Sequence, residues 1–270
     1  MADYVPQRYW DDLLREHLDE RGVAYPGLPV SFNRAMYVAF LRSTRRMLDD
    51  HGLVQPLRVL DIGSGTGIWI DFWLGLGRTD ITGVDLTQAS VDELLARYPE
   101  LQFYRGDAGA PDLPVDGPFD AVSVMSVLLH ITNDDRWRQA WKNIASVLAS
   151  DGYAVLIEPV VVHRWWGRPF GQEAASKARP LSEYRTAIAD AGLELVDMRP
   201  ATVLVANPVD TRSRLTFHSM SMLWRIVGRL VRGNEDRGRH IGAFLNAFDG
   251  PLRRLLPGGP SAKILLVRRS

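Results

Sequence analysis

The sequence of 270 residues contains no cysteine. Without thiols the chain can form neither a disulfide nor a thiolate metal site, and nothing in it requires an oxidising compartment. It also lacks any run of about 18 uncharged apolar residues, so we expect no membrane-spanning helix. The first residues, MADYVPQRYWDDLLREH, lack the apolar centre of a signal peptide. These absences predict a cytoplasmic protein.

An overall excess of charge is absent too, because 32 Lys and Arg residues balance 32 Asp and Glu residues. This balance gives no reason to expect nucleic acid as a partner. The distribution is less even, since residues 207–270 contain twelve Lys/Arg and only four Asp/Glu. Such a basic segment can serve an anionic partner or a membrane surface. The same segment can equally be a solvated face, or its charge can match the acidic remainder of the chain. The wide spacing of its basic residues favours these two explanations over an anionic partner.

Short apolar runs alternate with amphipathic segments along most of the chain. Their length and their Val, Ile and Leu content are typical of buried strands. Strands that alternate with helices predict an α/β fold: a Rossmann-like, doubly wound, mostly parallel sheet with helices on both faces. Seven strands are expected, at residues 57–63, 80–86, 101–107, 119–126, 153–159, 193–207 and 262–269.

Helical patterns lie outside this alternation at both ends of the chain. One helix is expected over residues 7–20, and a second is expected to begin after an N-cap at Ser31 and to end at Gly52. The chain is therefore predicted to begin with an N-terminal helical lid (residues 1–54), followed by a Rossmann-like core (55–206). A helical insertion (207–261) forms the other half of a substrate lid, and residues 262–270 are the final core strand.

The strongest motif is VLDIGSGTGIW at residues 59–69, in which glycines at positions 63, 65 and 67 join a strand to a helix. Such a turn needs positive φ or a missing Cβ, and the helix that follows presents free N–H groups to a polar ligand. The dinucleotide fingerprint would place its third glycine at position 68, where Ile68 stands. The P-loop would require a Lys-Ser/Thr pair there. The pattern that remains is D-x-G-x-G-x-G.

This pattern resembles the first motif of the class I S-adenosylmethionine-dependent methyltransferases, and four further landmarks follow in that family's order. Asp85 ends the second strand and, by the resemblance, accepts the two ribose hydroxyls as a carboxylate can. Asp107 follows the third strand and is implied to meet the adenine amino group, and Met125 ends the fourth strand beside the methionine moiety. The cofactor-binding residues that the resemblance implies are Asp61, Gly63, Ser64, Gly65, Gly67, Asp85, Leu86, Asp107, Ala108 and Met125.

The N-terminal lid is expected to close over the same cofactor. Arg34 or Tyr37 is the candidate contact for the cofactor carboxylate, because a guanidinium matches a carboxylate in fork geometry. A surface salt bridge or a core aromatic residue is the alternative for either one. The expected ligands are S-adenosyl-L-methionine and its product, S-adenosylhomocysteine.

Methyl transfer is an in-line displacement that depends on positioning, and a hydroxyl acceptor also needs a base. His130, after the fourth strand, is the predicted general base, and the alternative is a histidine that only orders the loop. Glu158, at the end of the fifth strand, is the second catalytic candidate, which orients His130 or holds the acceptor. His163 is a weaker base candidate, and the aromatic residues after it, Trp165, Trp166 and Phe170, wall a pocket or the core.

A divalent cation remains possible, because Asp134, Asp135 and Glu158 could surround one. Both aspartates are better explained as caps of the next helix, so no metal ligand is predicted.

The acceptor is expected to be a small molecule, and a hydroxyl of a saccharide or natural product is favoured. The Asn-Pro-Pro-Tyr signature of amide methylation and a basic, aromatic-rich RNA-binding domain are both missing. Carbon or nitrogen methylation remains an alternative, as does a catalytically silent scaffold that binds the cofactor or only a partner protein. A homodimer is the oligomer considered for the chain. A nicotinamide-dependent oxidoreductase is disfavoured by Ile68.

Overall fold

The computed structural model describes residues 6–17, 19–55, 57–163, 175–256 and 258–270. The strands among them are β1 (Arg58–Ile62), β2 (Asp80–Asp85), β3 (Gln102–Arg105), β4 (Phe119–Met125), β5 (Leu148–Glu158), β6 (Val160–Val161), β7 (Arg179–Pro180), β8 (Leu193–Pro200) and β9 (Lys263–Arg269). The helices are α1 (Pro6–Glu16), α2 (Val30–Asp50), α3 (Ile68–Gly75), α4 (Gln88–Arg97), α5 (Asp134–Val147), α6 (Leu181–Asp190), α7 (Arg214–Val231) and α8 (Glu235–Leu255), with a 3-10 turn at Leu128–His130.

Seven strands form one sheet in the order β3-β2-β1-β4-β5-β9-β8, and β6 pairs with β7 separately. Only β9 of the large sheet runs antiparallel, to both β5 and β8. The predicted Rossmann-like, mostly parallel sheet of seven strands is confirmed. Because β1 lies between β2 and β4, the strand order reverses beside it, and ligands of such sheets bind at this point, outside the carboxyl ends of the strands.

The central strands are apolar on both faces because helices cover both. Leu60 and Val122 belong to the core on one face, where Trp137 and Trp141 of α5 pack. The core on the other face contains Trp73 of α3. Burial on both sides explains why these strands read as continuous apolar runs rather than as alternating ones.

The predicted N-cap at Ser31 is wrong, because α2 already begins at Val30. The free backbone N–H groups of Val30 and Ser31 donate to the Glu235 carboxylate, at 3.0 and 2.9 Å. The Ser31 hydroxyl donates to the backbone oxygen of Glu235. The start of α2 is therefore satisfied by the first turn of α8, which no local sequence pattern indicates.

The sixth strand of the large sheet, β8, is shorter than its predicted span to residue 207, because it ends at Pro200. The N–H groups of Val203 and Leu204 donate to Oδ1 of Asp249 in α8, at 2.7 and 2.8 Å. The Thr202 hydroxyl donates to the same oxygen at 2.5 Å. These backbone groups are thus satisfied by a buried carboxylate instead of by a neighbouring strand.

The helical insertion forms a hairpin of α7 and α8 against α2. Phe32 and Ala39 of α2 share a buried apolar cluster with Val227 and Val231 of α7 and Leu245 of α8. None of the helices that the structure describes combines the length and the apolar run that a membrane span requires.

Candidate active site

A cavity of about 320 Å³ lies at the carboxyl ends of β1, β2 and β4. Its size is at the lower end of the range of small-molecule sites, which is about 300 to 1,000 Å³. Ten of the residues predicted for the site line it: Tyr37, Gly63, Ser64, Gly65, Asp85, Leu86, Asp107, Ala108, Met125 and His130. The four others, Arg34, Asp61, Gly67 and Glu158, lie outside its lining.

The glycine turn adopts the conformation that its composition suggests. Gly63, Gly65 and Gly67 have φ values of +80°, +52° and +81°, which L-residues with a Cβ rarely adopt. A Cβ at Gly65 would also lie 2.8 Å from a methyl group of Val23, on the segment that joins α1 to α2. The turn therefore exposes bare backbone to the cavity and lets the segment that joins α1 to α2 approach closely.

Asp85 holds this turn together. One carboxylate oxygen, Oδ2, accepts the N–H of Gly65 at 2.8 Å, and the other, Oδ1, accepts the N–H and the hydroxyl of Thr87 at 2.9 and 2.8 Å. A carboxylate has about four acceptor positions, so these contacts occupy most of them. Burial raises the pKa of Asp85, and the backbone hydrogen bonds oppose that effect. These contacts fix the orientation of the carboxylate, which lines the cavity.

Asp61 lies directly beneath the turn and is 1% exposed. Its Oδ1 accepts the Ser123 hydroxyl at 2.6 Å, but its Oδ2 accepts no hydrogen bond from the part of the chain that the structure describes. Burial raises the pKa of Asp61 to about 6. A buried carboxylate oxygen without a donor is costly, and a cationic group bound above the turn would relieve that cost.

Asp107 lies at the rim of the cavity, in the loop after β3. Its Oδ1 accepts the N–H of Gly109 at 2.8 Å, and its Oδ2 accepts a hydrogen bond from Arg136 of α5. Arg136 also lines the cavity. The loop conformation therefore uses part of the acceptor capacity of Asp107, and the adjacent guanidinium is a polar group that the sequence motif did not indicate.

His130 ends the 3-10 turn after β4 and lines the cavity. Its Nδ1 is hydrogen-bonded to the backbone carbonyl of Ala175. Since a carbonyl only accepts, Nδ1 carries the proton and Nε2 keeps a lone pair. The Trp10 ring packs edge-on at 4.7 Å between centroids. Burial lowers the pKa of His130 to about 4, so the imidazole is neutral at pH 7.

Glu158 has no exposed surface and lies behind the cavity lining. Its Oε1 accepts the N–H of Leu128 at 2.9 Å and its Oε2 is 3.4 Å from the Tyr184 hydroxyl. Burial raises its pKa to about 8. Its contact is therefore with the first residue of the turn that carries His130, and the direct partner of the imidazole is Ala175 instead.

The two lid candidates occupy different places. Tyr37 lines the cavity, and its hydroxyl donates to the carbonyl of Val23 at 2.8 Å. Arg34 is exposed on α2, where its guanidinium is 2.7 Å from the carboxylate of Glu20. Arg34 is thus in the surface ion pair that was its alternative explanation.

The carboxylates considered for a cation do not converge. Asp134 Oδ1 accepts from Lys177 at 2.6 Å and from Arg179 at 2.9 Å. An aspartate was expected to cap α5, but the N-cap is Asn133, because its side chain accepts the N–H of Arg136. Among the described residues, no group of three His, Asp or Glu side chains could hold a metal ion.

His163 lies away from the cavity. Its backbone N–H donates to the buried carboxylate of Asp210 at 2.7 Å, and its Nε2 accepts from Arg212 at 3.1 Å. The predicted pocket aromatics Trp165, Trp166 and Phe170 lie outside the described residues.

Several lining residues had no assigned role in the sequence. Trp10 and Leu14 of α1 contribute an apolar wall, together with Trp69 of α3 and Val127 after β4. The signal for the first two was present, since they lie four residues apart on the apolar stripe of α1. What this stripe would cover became visible only in three dimensions.

A switch-point cavity with a glycine turn and a carboxylate on the neighbouring strand is the arrangement in which Rossmann-like folds bind nucleoside cofactors. Residues 59–152 match the family model of a methyltransferase domain. This part of the chain, which contains the glycine turn, Asp85 and His130, is similar to methyltransferase domains.

Two curated relatives of this chain are methyltransferases. A ubiquinone/menaquinone biosynthesis C-methyltransferase of Campylobacter jejuni is 27% identical over 112 residues, which are 39% of this chain and 46% of that protein. An O-methyltransferase of Aspergillus nomiae is 31% identical over 55% of this chain and 59% of its own length. The chain therefore spans about half the length of the curated relatives that it matches.

A solved structure shares the fold. The O-methyltransferase from the trans-AT PKS multienzyme of Brevibacillus brevis, in complex with S-adenosyl-L-homocysteine, has a TM-score of 0.55 and 17% identity. The likeness covers 88% of this chain and 73% of that one. At this identity the similarity concerns the fold.

The residues around the cavity fit S-adenosyl-L-methionine as the cofactor. The bare backbone of the glycine turn faces the cavity, where a Cβ at position 63 would lie 2.2 Å from Val127. The buried, unsatisfied oxygen of Asp61 is a negative centre beneath the turn, and Asp85, which lines the cavity, offers acceptor oxygens to a hydroxyl.

Proposed function

We propose that the protein transfers a methyl group from S-adenosyl-L-methionine to a hydroxyl of a small molecule. The observation that carries the proposal is the placement of the glycine turn, Asp85 and the neutral His130 around one cavity. The cavity walls are mainly apolar, with Trp10, Leu14 and Trp69 among them. This composition favours an apolar, hydroxyl-bearing natural product over a bare saccharide.

Cofactor binding is assigned to the turn and its neighbours. The N–H groups after Gly63 and the positive end of α3 hold polar groups of the cofactor. Asp85 accepts a ribose hydroxyl through Oδ2, and Asp61 offers negative charge to the methionine ammonium. Asp107 and the backbone of Ala108 contact the base. Tyr37 supports the lid segment through the carbonyl of Val23.

His130 is assigned as the general base. Its proton on Nδ1 is engaged by Ala175, so Nε2 is the nitrogen that can take the proton of an acceptor hydroxyl. The bound cofactor supplies a methyl group activated by a sulfonium charge, which is lost on transfer. An imidazolium that forms at His130 restores one positive charge in the cavity, so the net charge there stays constant. This constant charge offsets the cost of protonating a buried imidazole, which is the cost that lowers the pKa of His130.

Glu158 is assigned a positioning role. It holds the first N–H group of the 3-10 turn at Leu128, and Arg179 donates to the carbonyl of Ile131 at the other end, at 2.9 Å. Arg179 is itself buried and lies over the Trp137 ring at 4.5 Å. Two buried groups thus clamp both ends of the turn that presents His130, which limits the orientations of the imidazole.

Carbon methylation is the second candidate, because one curated relative is named a C-methyltransferase. A pKa of about 4 makes His130 a weak base, and a carbon nucleophile that is already an anion needs no base. Loss of His130 would then change turnover little, which separates the two reactions.

Methyl-labelled S-adenosylmethionine should transfer label to members of a panel of phenols, hydroxylated polyketides and sugars, with the linkage of each product read by NMR. For a hydroxyl acceptor, His130→Ala should lower kcat by about a hundredfold and leave the affinity for S-adenosylhomocysteine within a factor of two or so. His240→Ala, on the exposed face of α8, is the matched control. A chain that binds S-adenosylhomocysteine but methylates nothing in the panel or in cell extract is a scaffold, and the proposal would then be rejected.

A further inference from the structure

One face of α7 has five exposed apolar residues, interrupted only by Ser219 between Leu215 and Leu223. Leu215, Met222, Leu223, Ile226 and Leu230 form this face, which we name the α7 stripe, and the last of them is 49% exposed. The stripe lies opposite Phe217, Val227 and Val231, which bury the other side of the helix. Because both sides of α7 are apolar, packing against the body of the protein explains only one of them.

A row of positive charge accompanies the α7 stripe. Arg225, Arg229 and Arg232 follow at spacings of four and three residues, so they share one flank of the helix. The segment from residue 211 to 234 contains five arginines and no Asp or Glu. The charge of this flank is therefore not neutralised within its own segment, and the five arginines of the segment account for most of the basic excess of the C-terminal part.

The adjoining helix α8 also has exposed aromatic side chains. Phe244 and Phe248 of α8 are 63% and 50% exposed, and their ring centroids lie 5.0 Å apart. Large exposed aromatic side chains beside arginines are typical of helices that lie in the interface of a bilayer, with the rings at the boundary of the acyl chains.

We propose that the α7–α8 hairpin docks on an anionic lipid bilayer, with the α7 stripe inserted at the interface and the arginine flank on the lipid phosphates. The occupant is identified by two properties that must occur together, an apolar layer and negative charge above it. A lipid surface offers both over the full length of the helix.

A second copy of the chain fits this surface less well. A two-fold contact would place the same acid-free, arginine-rich segment on both partners, so neither copy would offer opposite charge to the other. An acidic protein would satisfy the arginines but would not need the aromatic residues of α8. A second copy is an outcome of the test below, and an acidic protein is the occupant that remains if neither vesicle type is bound and no dimer forms.

The surface adjoins the lid of the cavity. The Trp224 ring of α7 packs against Tyr25 at 5.2 Å between centroids, and Gly228 lies against Leu28. Tyr25 and Leu28 belong to the segment that joins α1 to α2, and Val23 of this segment lines the cavity. Docking of α7 would therefore place the cavity lid next to the lipid surface.

The test is flotation of the purified chain with two kinds of vesicle, pure phosphatidylcholine and a mixture of phosphatidylcholine with phosphatidylglycerol. We expect binding to the mixed vesicles to be at least ten times stronger, and to weaken as salt is added. Ile226→Glu/Leu230→Glu should abolish binding, and Arg225→Gln/Arg229→Gln should reduce it by about fivefold for each arginine. Leu95→Glu, on the exposed face of α4, and Arg138→Gln are the matched controls.

Circular dichroism of every variant separates loss of binding from loss of folding. Equal binding of the two vesicle types, or none to either, overturns the proposal. So does a dimer, detected by light scattering, that the Ile226→Glu/Leu230→Glu variant converts to a monomer, because the occupant would then be a second copy. The binding measured needs no methyl transfer, so its outcome is independent of the reaction proposed above.

Discussion

Val127 packs against the bare Cα of Gly63: a Cβ at Gly63 would lie 2.2 Å from a methyl group of Val127. This contact joins the end of β1 to the loop after β4 on one side of the cavity. Gly63 is therefore required for two reasons, its positive φ and its lack of a side chain. The two reasons can be separated experimentally.

Gly63→Ala should destabilise the protein more than Gly77→Ala does. Gly77 has nearly the same φ, +77°, but nothing lies within 4 Å of its Cβ position. The unfavourable φ costs about 1 to 2 kcal/mol in either variant, and the clash with Val127 adds about 1 to 3 kcal/mol at position 63. Urea denaturation measures both. Equal losses of unfolding free energy in the two variants would show that the contact with Val127 adds no cost at position 63.

Asp61 should make cofactor binding depend on pH. Since the pKa of Asp61 is raised to about 6, its carboxylate is ionised at pH 7 and becomes protonated below about pH 6. The affinity for S-adenosylhomocysteine, measured by calorimetry, should therefore fall between pH 7 and pH 5. His130 does not titrate in this range because its pKa is about 4.

The variant Asp61→Asn should bind more weakly at pH 7 and lose most of this dependence. Asp80→Asn, at the exposed start of β2, serves as the control and should keep it. The role of Asp61 would be contradicted by an unchanged pH profile in the Asn variant.

Glu158 should lower the stability of the protein at neutral pH. Its folded pKa of about 8 lies above its usual value of 4.5, so the folded state keeps a proton that the unfolded state loses. The free energy of unfolding therefore decreases as pH rises from about 4.5 to 8, by up to about 1.4 kcal/mol per pH unit. Below this range the contribution does not change with pH.

Glu158→Gln keeps an acceptor for the N–H of Leu128 and removes the titration. Its stability relative to the natural chain should rise steadily from pH 5 to pH 8, as measured by denaturant unfolding at each pH. Glu194→Gln, on the exposed side of β8, should show no such trend. A constant difference across the pH range would mean that Glu158 is ionised in the folded state.

Trp10 should control the protonation of His130. The pKa of His130 is low because the imidazole is buried, and the Trp10 ring is part of the cover. Trp10→Ala admits water and should move this pKa up from about 4 towards 6.5, which NMR titration of the imidazole can follow. Tyr9→Ala removes an exposed ring whose centroid lies 5.2 Å from that of Trp10, and should shift the pKa of His130 much less. An unchanged value in Trp10→Ala would exclude α1 as a cover of the site.

The sequence predicted most of the site's framework because that framework is local. The glycine turn at residues 63–67 is determined by backbone conformation, and the seven strands follow from apolar runs and their spacing. The position of Asp85 at the end of β2 fixes its place beside the turn, since the carboxyl ends of adjacent parallel strands meet at one edge.

The rest depended on partners far away in the chain. Glu235 caps α2, and Asp249 accepts the backbone N–H groups that follow the end of β8. Each carboxylate lies far in the sequence from the backbone groups that it binds. Glu158 ends its strand as predicted, yet only packing showed that it lies behind the cavity and supports the turn of His130. Periodicity and turn chemistry act between near neighbours, whereas burial, and with it the pKa of a buried group, is decided by whatever the fold brings into contact.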